Sequence, residues 1–365
     1  MRIILCCNHT FPHVGGSERV VKQISEAMAA APYGHEVVVL SRSIDKAFSH
    51  NGVNYQVCAG NGKAFIQQLQ GLNPGHTHIY SDCFAFWPDL LKDAEKVPGT
   101  KSCALVGMNY TLARTNLIGE LKGKQGQIRC IAHSDNYQDY QACVNEQIAV
   151  TVIPNGVDLA EFDAAPYVVP GTEGKKVILC VSTFFPGKGQ EHLVKVLERL
   201  YQKRQDWAFV NCSNRVNFGF AQLLADKVRK SLKTMPYESH FLVDLSREKI
   251  VGLFKSAHVF AFPSQKEVAP LVAIESQAAG LPWVALPVGN VPQLKGGLIA
   301  APGVKDSQGY QRYGEESYQT FADNLDRLLG DDTLRSQLGA AGRQQIEDVY
   351  NWQKIAAQYN EVFTR

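Results

Sequence analysis

No uninterrupted run of about 18 apolar residues occurs in the 365-residue chain, so the sequence offers no bilayer-spanning helix. An excess of one charge is missing too. The chain has 37 Lys and Arg against 35 Asp and Glu, a formal net charge of +2, which gives no electrostatic reason to expect nucleic acid as a partner. The nine cysteines form no C-x-x-C pair and no Cys/His zinc spacing. Cys6, Cys7, Cys103, Cys130, Cys180 and Cys212 sit in or beside apolar runs and read as small buried hydrophobes of a reducing cytoplasm. There is no Asp-x-Asp pair, no metal-ligand cluster, no completed G-x-G-x-x-G and no Walker motif. The opening MRIILCCNHT has neither the apolar length nor the cleavage site of a secretory signal, so the expected location is cytoplasmic. What is present is ordinary globular composition, 45% hydrophobic and 20% charged, at a length that suggests two domains.

The first half alternates strand and helix patterns. Arg2–Cys7 and Glu36–Leu40 read as buried strands, and Ser17–Ala31 carries Val20, Val21, Ile24, Ala27 and Met28 at helical spacing. Further strands are expected at Val53–Cys58, Thr77–Tyr80, Cys103–Val106, Gln127–Ala132 and Val150–Ile153. Pro154–Lys176, with three prolines and three glycines, reads as a linker. The rhythm then restarts, with strands at Val177–Val181, Trp207–Cys212, His240–Val243, His258–Phe262 and Trp283–Leu286. Helices are expected at Gln190–Lys203, Phe218–Leu232, Arg247–Ser256 behind a Ser246 cap, and Leu271–Ala279. Glu316–Arg365 reads as helical, with breaks at Gly330, Asp331, Gly339 and Gly342. Near-continuous apolar strands alternating with helices imply α/β domains with parallel sheets covered on both faces. Two doubly wound domains are expected, with ligands beyond the carboxyl ends of their strands, in a cleft where the domains face each other.

The segment 262–282, FPSQKEVAPLVAIESQAAGLP, carries the chemistry. Glu267 lies in a loop and Glu275 in the following helix, with seven residues between them. Pro270 suits the start of a helix, and the amides near Ala269, Leu271 and Val272 make an anion site that suits a diphosphate. Read alone, two carboxylates at a helix start do no more than favour the macrodipole. Lys188, between Gly187 and Gly189 after a strand, supplies a cation at the end of the second domain's first strand. Gly15 and Gly16 precede the first helix, where a glycine pair permits positive φ and close approach of a ligand.

The 262–282 segment resembles the E-x7-E signature of the retaining glycosyltransferases of family 4, which have the GT-B architecture. Three other segments agree in order: PHVGGSERVV at 12–21 followed by GHEV at 34–37, VIPNGVD at 152–158, and Val181–Gly189 with its Lys188-Gly189. Trp352, Ile355, Ala356 and Tyr359 are similar to the family's closing helix, which crosses back onto the first domain. The resemblance implies an acceptor-binding domain at 1–160, a nucleotide-sugar-binding domain at 161–345 and a returning helix at 346–365, with closure about the Asn155–Asp158 hinge. It implies that Lys188 and the amides of Ala269, Leu271 and Val272 hold the donor diphosphate, that Glu267 positions the sugar, and that Glu275 holds the ribose. Asp244 and Leu245 then cradle the nucleobase, and the Gly15-Gly16 loop faces the substrates.

The chain departs from the family at two places. Thr183 stands where the family has an arginine five positions before the lysine, and Arg215 is the candidate replacement. Asn109 stands where the family has a histidine after a first-domain strand. It can bond the donor sugar but cannot act as a base. His133 is an alternative, although a histidine at a strand end more often serves local bonding. The implied activity is retaining, metal-independent transfer of a hexosyl group from a nucleotide sugar, UDP-glucose or UDP-galactose, to a glycan or lipid-linked glycan, with no cofactor. The rival readings are a sugar-nucleotide epimerase or phosphorylase on the same fold, and a degenerate module that binds a sugar nucleotide without turnover. Arg114, Lys122, Lys124 and Arg129 form a basic stretch that reads as a solvated face. The alternative is a peripheral contact with lipid headgroups at the inner membrane face.

Overall fold

The computed structural model describes residues 1–13, 15–80, 86–105, 117–214 and 219–365. The chain divides into two compact units, Met1–Asn155 with Gln353–Arg365, and Gly156–Trp352.

The first unit is built on β1 (Arg2–Cys7), β2 (Glu36–Ser41), β3 (Phe48–His50), β4 (Val53–Val57), β5 (His76–Tyr80), β6 (Thr100–Leu105), β7 (Ile128–Ala132) and β8 (Val150–Val152). Their order in the sheet is β3-β4-β2-β1-β5-β6-β7-β8, and the pairs are parallel except the β3–β4 edge. That antiparallel edge was not expected, since three residues are too few to carry a pattern. The helices are α1 (Gly16–Ala29), α2 (Gly62–Leu72), α3 (Trp87–Lys92), α4 (Leu117–Gly123) and α5 (Gln138–Asn145). Strand residues such as Ile4, Cys6, Val38, Leu40 and Cys103 are buried because helices cover the sheet. The eight described cysteines are free and buried, as the sequence suggested.

The second unit has β9 (Lys176–Val181), β10 (Trp207–Ser213), β11 (Glu238–Val243), β12 (Val259–Phe262), β13 (Trp283–Ala285) and β14 (Gly297–Ile299), in the order β11-β10-β9-β12-β13-β14 with parallel pairing. The chain winds outward from β9 in one direction, then returns to start β12 on the other side. β9 and β12 therefore flank the topological switch point, where open α/β sheets bind ligands. The helices are α6 (Gln190–Tyr201), α7 (Gly219–Lys233), α8 (Arg247–Ser256), α9 (Leu271–Ala278), α10 (Glu315–Gly330), α11 (Asp332–Gln345) and α12 (Trp352–Thr364), the last of which passes into the first unit. A small hairpin, β15 (Val304–Lys305) with β16 (Gln311–Arg312), was also not expected.

The stretch read as a linker is not one. Leu159–Asp163 forms a 3-10 turn, and Phe162 and Val169 are buried in the second unit's core. Tyr167 N donates to Gly252 O, and Ser256 Oγ donates to Tyr167 O, so the strap is bonded along α8. The division falls at 155/156 rather than 160/161 for that reason. At the other end it falls at 352/353 rather than 345/346, because Ile346 and Tyr350 are buried in the second core. Val157 N donates to Tyr350 O, and Trp352 N donates to Val157 O, so both ends of the second unit's chain are bonded to each other.

Gly339 and Gly342 do not break a helix, contrary to the expectation. Both lie inside α11, where a β-carbon on Gly339 would stand 2.2 Å from Gly280 O and one on Gly342 3.0 Å from Gly296 Cα. They are contact points between packed elements. Gly15 and Gly16 also differ from the expectation. Gly15 has extended backbone at φ −163° and caps α1, which Gly16 opens, so neither uses positive φ.

Candidate active site

The loop between β9 and α6 is shaped by two glycines that the chain requires there. Gly187 and Gly189 have φ of +90° and +78°. A β-carbon on Gly189 would lie 2.1 Å from Pro263 O, and one on Gly187 would enter the Tyr310 ring. Gln265 N donates to Gly187 O at 2.8 Å, joining this loop to the one that leaves β12. Lys188 between the glycines is thereby aimed at the second loop, and its Nζ lies 2.6 Å from Glu267 Oε1. The lysine side chain is 25% exposed and that of Glu267 6%, so the carboxylate is buried while the cation still reaches water.

Glu267 is held by a further close approach. Gly289 has φ +51°, and a β-carbon there would stand 2.3 Å from Val268 O. Asn290 N donates to Val268 O at 3.0 Å. Ser264 Oγ and Asn290 Oδ1 are buried with no hydrogen-bond partner among the described residues. Such groups are costly to bury unpaired and are ready to bond an arriving polar molecule.

Pro270 is the residue before α9, at φ −67°, and Leu271 and Val272 occupy the helix's first turn. First-turn amides have no partner within the helix and point their hydrogens outward at its positive end. Glu275 sits one turn further in, buried. Its Oε1 lies 3.1 Å from Arg247 Nη1. Arg247 also donates from Nε and Nη2 to Glu161 Oε2, at 2.9 and 2.6 Å. Burial lowers the Arg247 pKa from its ordinary value, and the Glu161 carboxylate opposes the shift.

The residues singled out in the sequence are distributed as follows among the described residues. Lys188, Glu267, Ala269, Leu271, Val272 and Glu275 lie on the β9 and β12 loops and α9. Asp244, with φ +52°, turns the chain after β11, and its N–H donates to Ser213 O; Leu245 packs on the core. Thr183 is exposed, and its carbonyl accepts from Gln190 Nε2 at 3.0 Å. Gly15 and Gly16 belong to the first unit. Asn109 and Arg215 lie outside the described residues. His133 is a buried structural histidine: its ring nitrogens meet Ile153 O at 2.9 Å and Tyr80 Oη at 3.2 Å. In the basic stretch, Lys122 pairs with Glu146 at 2.9 Å and Lys124 with Glu95 at 3.1 Å. Arg129 donates to Val362 O of α12. No helix among the described residues is long and apolar enough to cross a membrane.

Arg247 and Glu161 escaped the sequence reading. One signal was available: a cation in the first turn of a Ser-capped helix opposes the macrodipole, so its presence calls for a local partner.

Residues 168–345 match the family model described as glycosyl transferases group 1. The chain is 26% identical over 216 residues to a GDP-mannose-dependent monoacylated alpha-(1-6)-phosphatidylinositol monomannoside mannosyltransferase of Corynebacterium glutamicum, covering 55% of this chain and 52% of that one. It is 27% identical over 214 residues to an MMP alpha-(1->4)-mannosyltransferase of Mycolicibacterium hassiacum, covering 59% and 48%. The matched stretches thus span about half the length of these curated relatives. A D-inositol 3-phosphate glycosyltransferase of Jonesia denitrificans aligns over 100% of this chain and 96% of its own at 25% identity. Among solved structures, sucrose-phosphate synthase from Thermosynechococcus elongatus has a TM-score of 0.77 at 17% identity, covering 99% of this chain and 98% of the other. HepE of Anabaena, solved in complex with UDP, has a TM-score of 0.76 at 16% identity, covering 100% of both. These likenesses give the fold as GT-B. The second unit, matched by the group 1 model over residues 168–345 and carrying the E-x7-E pair, is a group 1 glycosyl transferase domain.

Proposed function

We propose that the chain transfers a hexosyl group, with retention and without a metal ion, from a nucleotide sugar to a hydroxyl of a glycan or lipid-linked glycan. The observation that carries this reading is the Lys188–Glu267 ion pair beside the amino end of α9, with Glu275 one turn inside. A diphosphate arriving there meets the Lys188 ammonium and the Leu271 and Val272 amides, donors suited to its charge. Lys188 then shares its hydrogen bonds between Glu267 and phosphate. Glu267 accepts from a hydroxyl of the donor sugar, and Glu275 accepts from the ribose. As the bond from the anomeric carbon to the phosphate oxygen breaks, negative charge grows on that oxygen, and the lysine and the helix end stabilise it where it forms. The departing oxygen takes the acceptor's proton, so transfer on the same face needs no side-chain base. Asn109 and Arg215, carried from the family pattern, serve the donor sugar and the phosphates.

The donor is read as UDP-glucose or UDP-galactose, and a relative's name specifies GDP-mannose, so all three belong in the test. The full chain is incubated with each donor, with glycan and lipid acceptors, and nucleoside diphosphate release is followed. Turnover of one donor, lost in Lys188→Ala, is the expected result. The second reading, a module that binds without turnover, is favoured by the uncharged, exposed Thr183 at the expected arginine position. Binding with no release under any condition would establish it instead.

A further inference from the structure

Arg247 joins three elements through one guanidinium. Its Nε and Nη2 go to Glu161 on the 3-10 turn, and its Nη1 goes to Glu275 on α9, while Arg247 itself opens α8. The Phe162 ring lies 5.8 Å from the guanidinium carbon. A strap between the 3-10 turn and α8 needs only the Glu161 bonds. The third donor instead reaches a carboxylate whose side chain is 4% exposed, on a different element. Because the guanidinium is planar, fixing two of its donors on Glu161 fixes the direction of the third. The arginine therefore sets where Glu275 Oε1 stands, at the cost of a cation in the first turn of a helix.

We infer that Arg247 is a positioning residue for ribose recognition, holding the Glu275 carboxylate so that the site takes ribonucleoside diphosphates in preference to their 2′-deoxy counterparts. This rests on the reading of Glu275 as the ribose acceptor. A loose carboxylate still attracts hydroxyls, but it loses the geometry that distinguishes a diol from a single hydroxyl.

The test is calorimetric binding of UDP, GDP, 2′-deoxy-UDP and 2′-deoxy-GDP to the full chain and to Arg247→Ala. The wild type is expected to favour the ribonucleotide by about ten-fold or more, the scale of one charge-assisted hydrogen bond. In Arg247→Ala that ratio should collapse toward one while 2′-deoxy binding is kept. A purely structural strap predicts equal weakening of both ligands, and that result, an unchanged ratio, or a wild type without preference would overturn the inference. Glu161→Gln keeps the cation and weakens its anchor. It should lower the ratio in the same direction, and it carries the test should Arg247→Ala not fold. Failure of every nucleotide to bind the wild type would sink the nucleotide-sugar reading itself, whereas the outcomes above bear on Arg247 alone.

Discussion

Lys188 and Glu267, 79 positions apart in the chain, form a 2.6 Å ion pair across loops that leave the adjacent strands β9 and β12. The family resemblance implies separate tasks for them, phosphate for one and sugar for the other. The structure shows that each is the other's resting partner, so removing either has two effects. If Lys188 stabilises the leaving diphosphate as proposed, Lys188→Ala takes away a preorganised cation where charge develops, and kcat should fall about 10²–10³-fold. It also leaves a buried carboxylate without its cation, which should cost about 1–3 kcal/mol of stability. Turnover and urea midpoints on the same preparation read both effects. Unchanged values in both would remove the pair from the site.

Glycines inside helices give a prediction whose sign depends on the space around each. Replacing a helical glycine by alanine ordinarily stabilises by about 0.5–1 kcal/mol. Gly71, near the end of α2, has nothing within 4 Å of a built β-carbon, so Gly71→Ala should stabilise by that amount. At Gly339 the same change puts a methyl 2.2 Å from Gly280 O, and Gly339→Ala should destabilise, by about 1–3 kcal/mol as for an overpacked core. Thermal melts of the two variants should move in opposite directions.

Acid should destabilise the first unit at pH values above the usual carboxylate range. Burial holds the His78 pKa down to about 3 and that of His133 to about 4, and burial also lowers His76 far below its ordinary value. Unfolded histidine takes up a proton near pH 6.5. Between that pH and the folded values, the unfolded chain binds protons that the folded chain does not, so stability falls as pH falls. The stabilising contribution is complete above about pH 6.5 and is lost progressively toward pH 3–4, with a slope of about 1.4 kcal/mol per pH unit for each such histidine. Urea midpoints at pH 7 and pH 5 measure the loss. His78→Leu should flatten the dependence, and an equally steep profile in that variant would exclude His78 as a source.

Strand positions were legible because buried parallel strands write themselves as apolar runs. Val259–Phe262 and Lys176–Val181 differ from their expected spans by one residue each. Ser246 was legible as a cap because its hydroxyl has one local task, accepting from Lys249 N. What stayed hidden depends on packing across the fold. A glycine in α11 reads as a breaker until its neighbour at Gly280 is known. The 154–176 stretch reads as a linker because its prolines and glycines show, while the burial of Phe162 and Val169 does not. The Glu267–Glu275 spacing was visible as a pattern, yet their partners Lys188 and Arg247 come from other strand ends, and no local spacing connects them.

The final helix belongs to the first unit from Gln353 onward, and that makes Phe363 a test of where the unit's stability resides. Phe363 is buried, with its ring 4.6 Å from His76 and 5.2 Å from His78, and Tyr359 stands 6.1 Å from His78. His76 meets Thr100 Oγ1 at 2.7 Å and Ser102 Oγ at 2.8 Å, and His78 shares the same Ser102 hydroxyl at 2.8 Å. The aromatic ring thus helps to keep water from a bonded histidine pair as well as filling space. Phe363→Ala should cost about 3–5 kcal/mol by opening a cavity. Water entering that cavity would raise the His76 pKa toward its ordinary value, because desolvation is the largest cause of its depression. The variant should therefore be less stable at pH 7 and also less pH-dependent between 7 and 5, since the folded state could then take up the proton itself. Hydrogen exchange resolved along the chain should place the loss in residues 1–155 and 353–365 and leave the second unit protected. Loss of protection in both units alike would mean that Phe363 supports more than the sheet on which it packs.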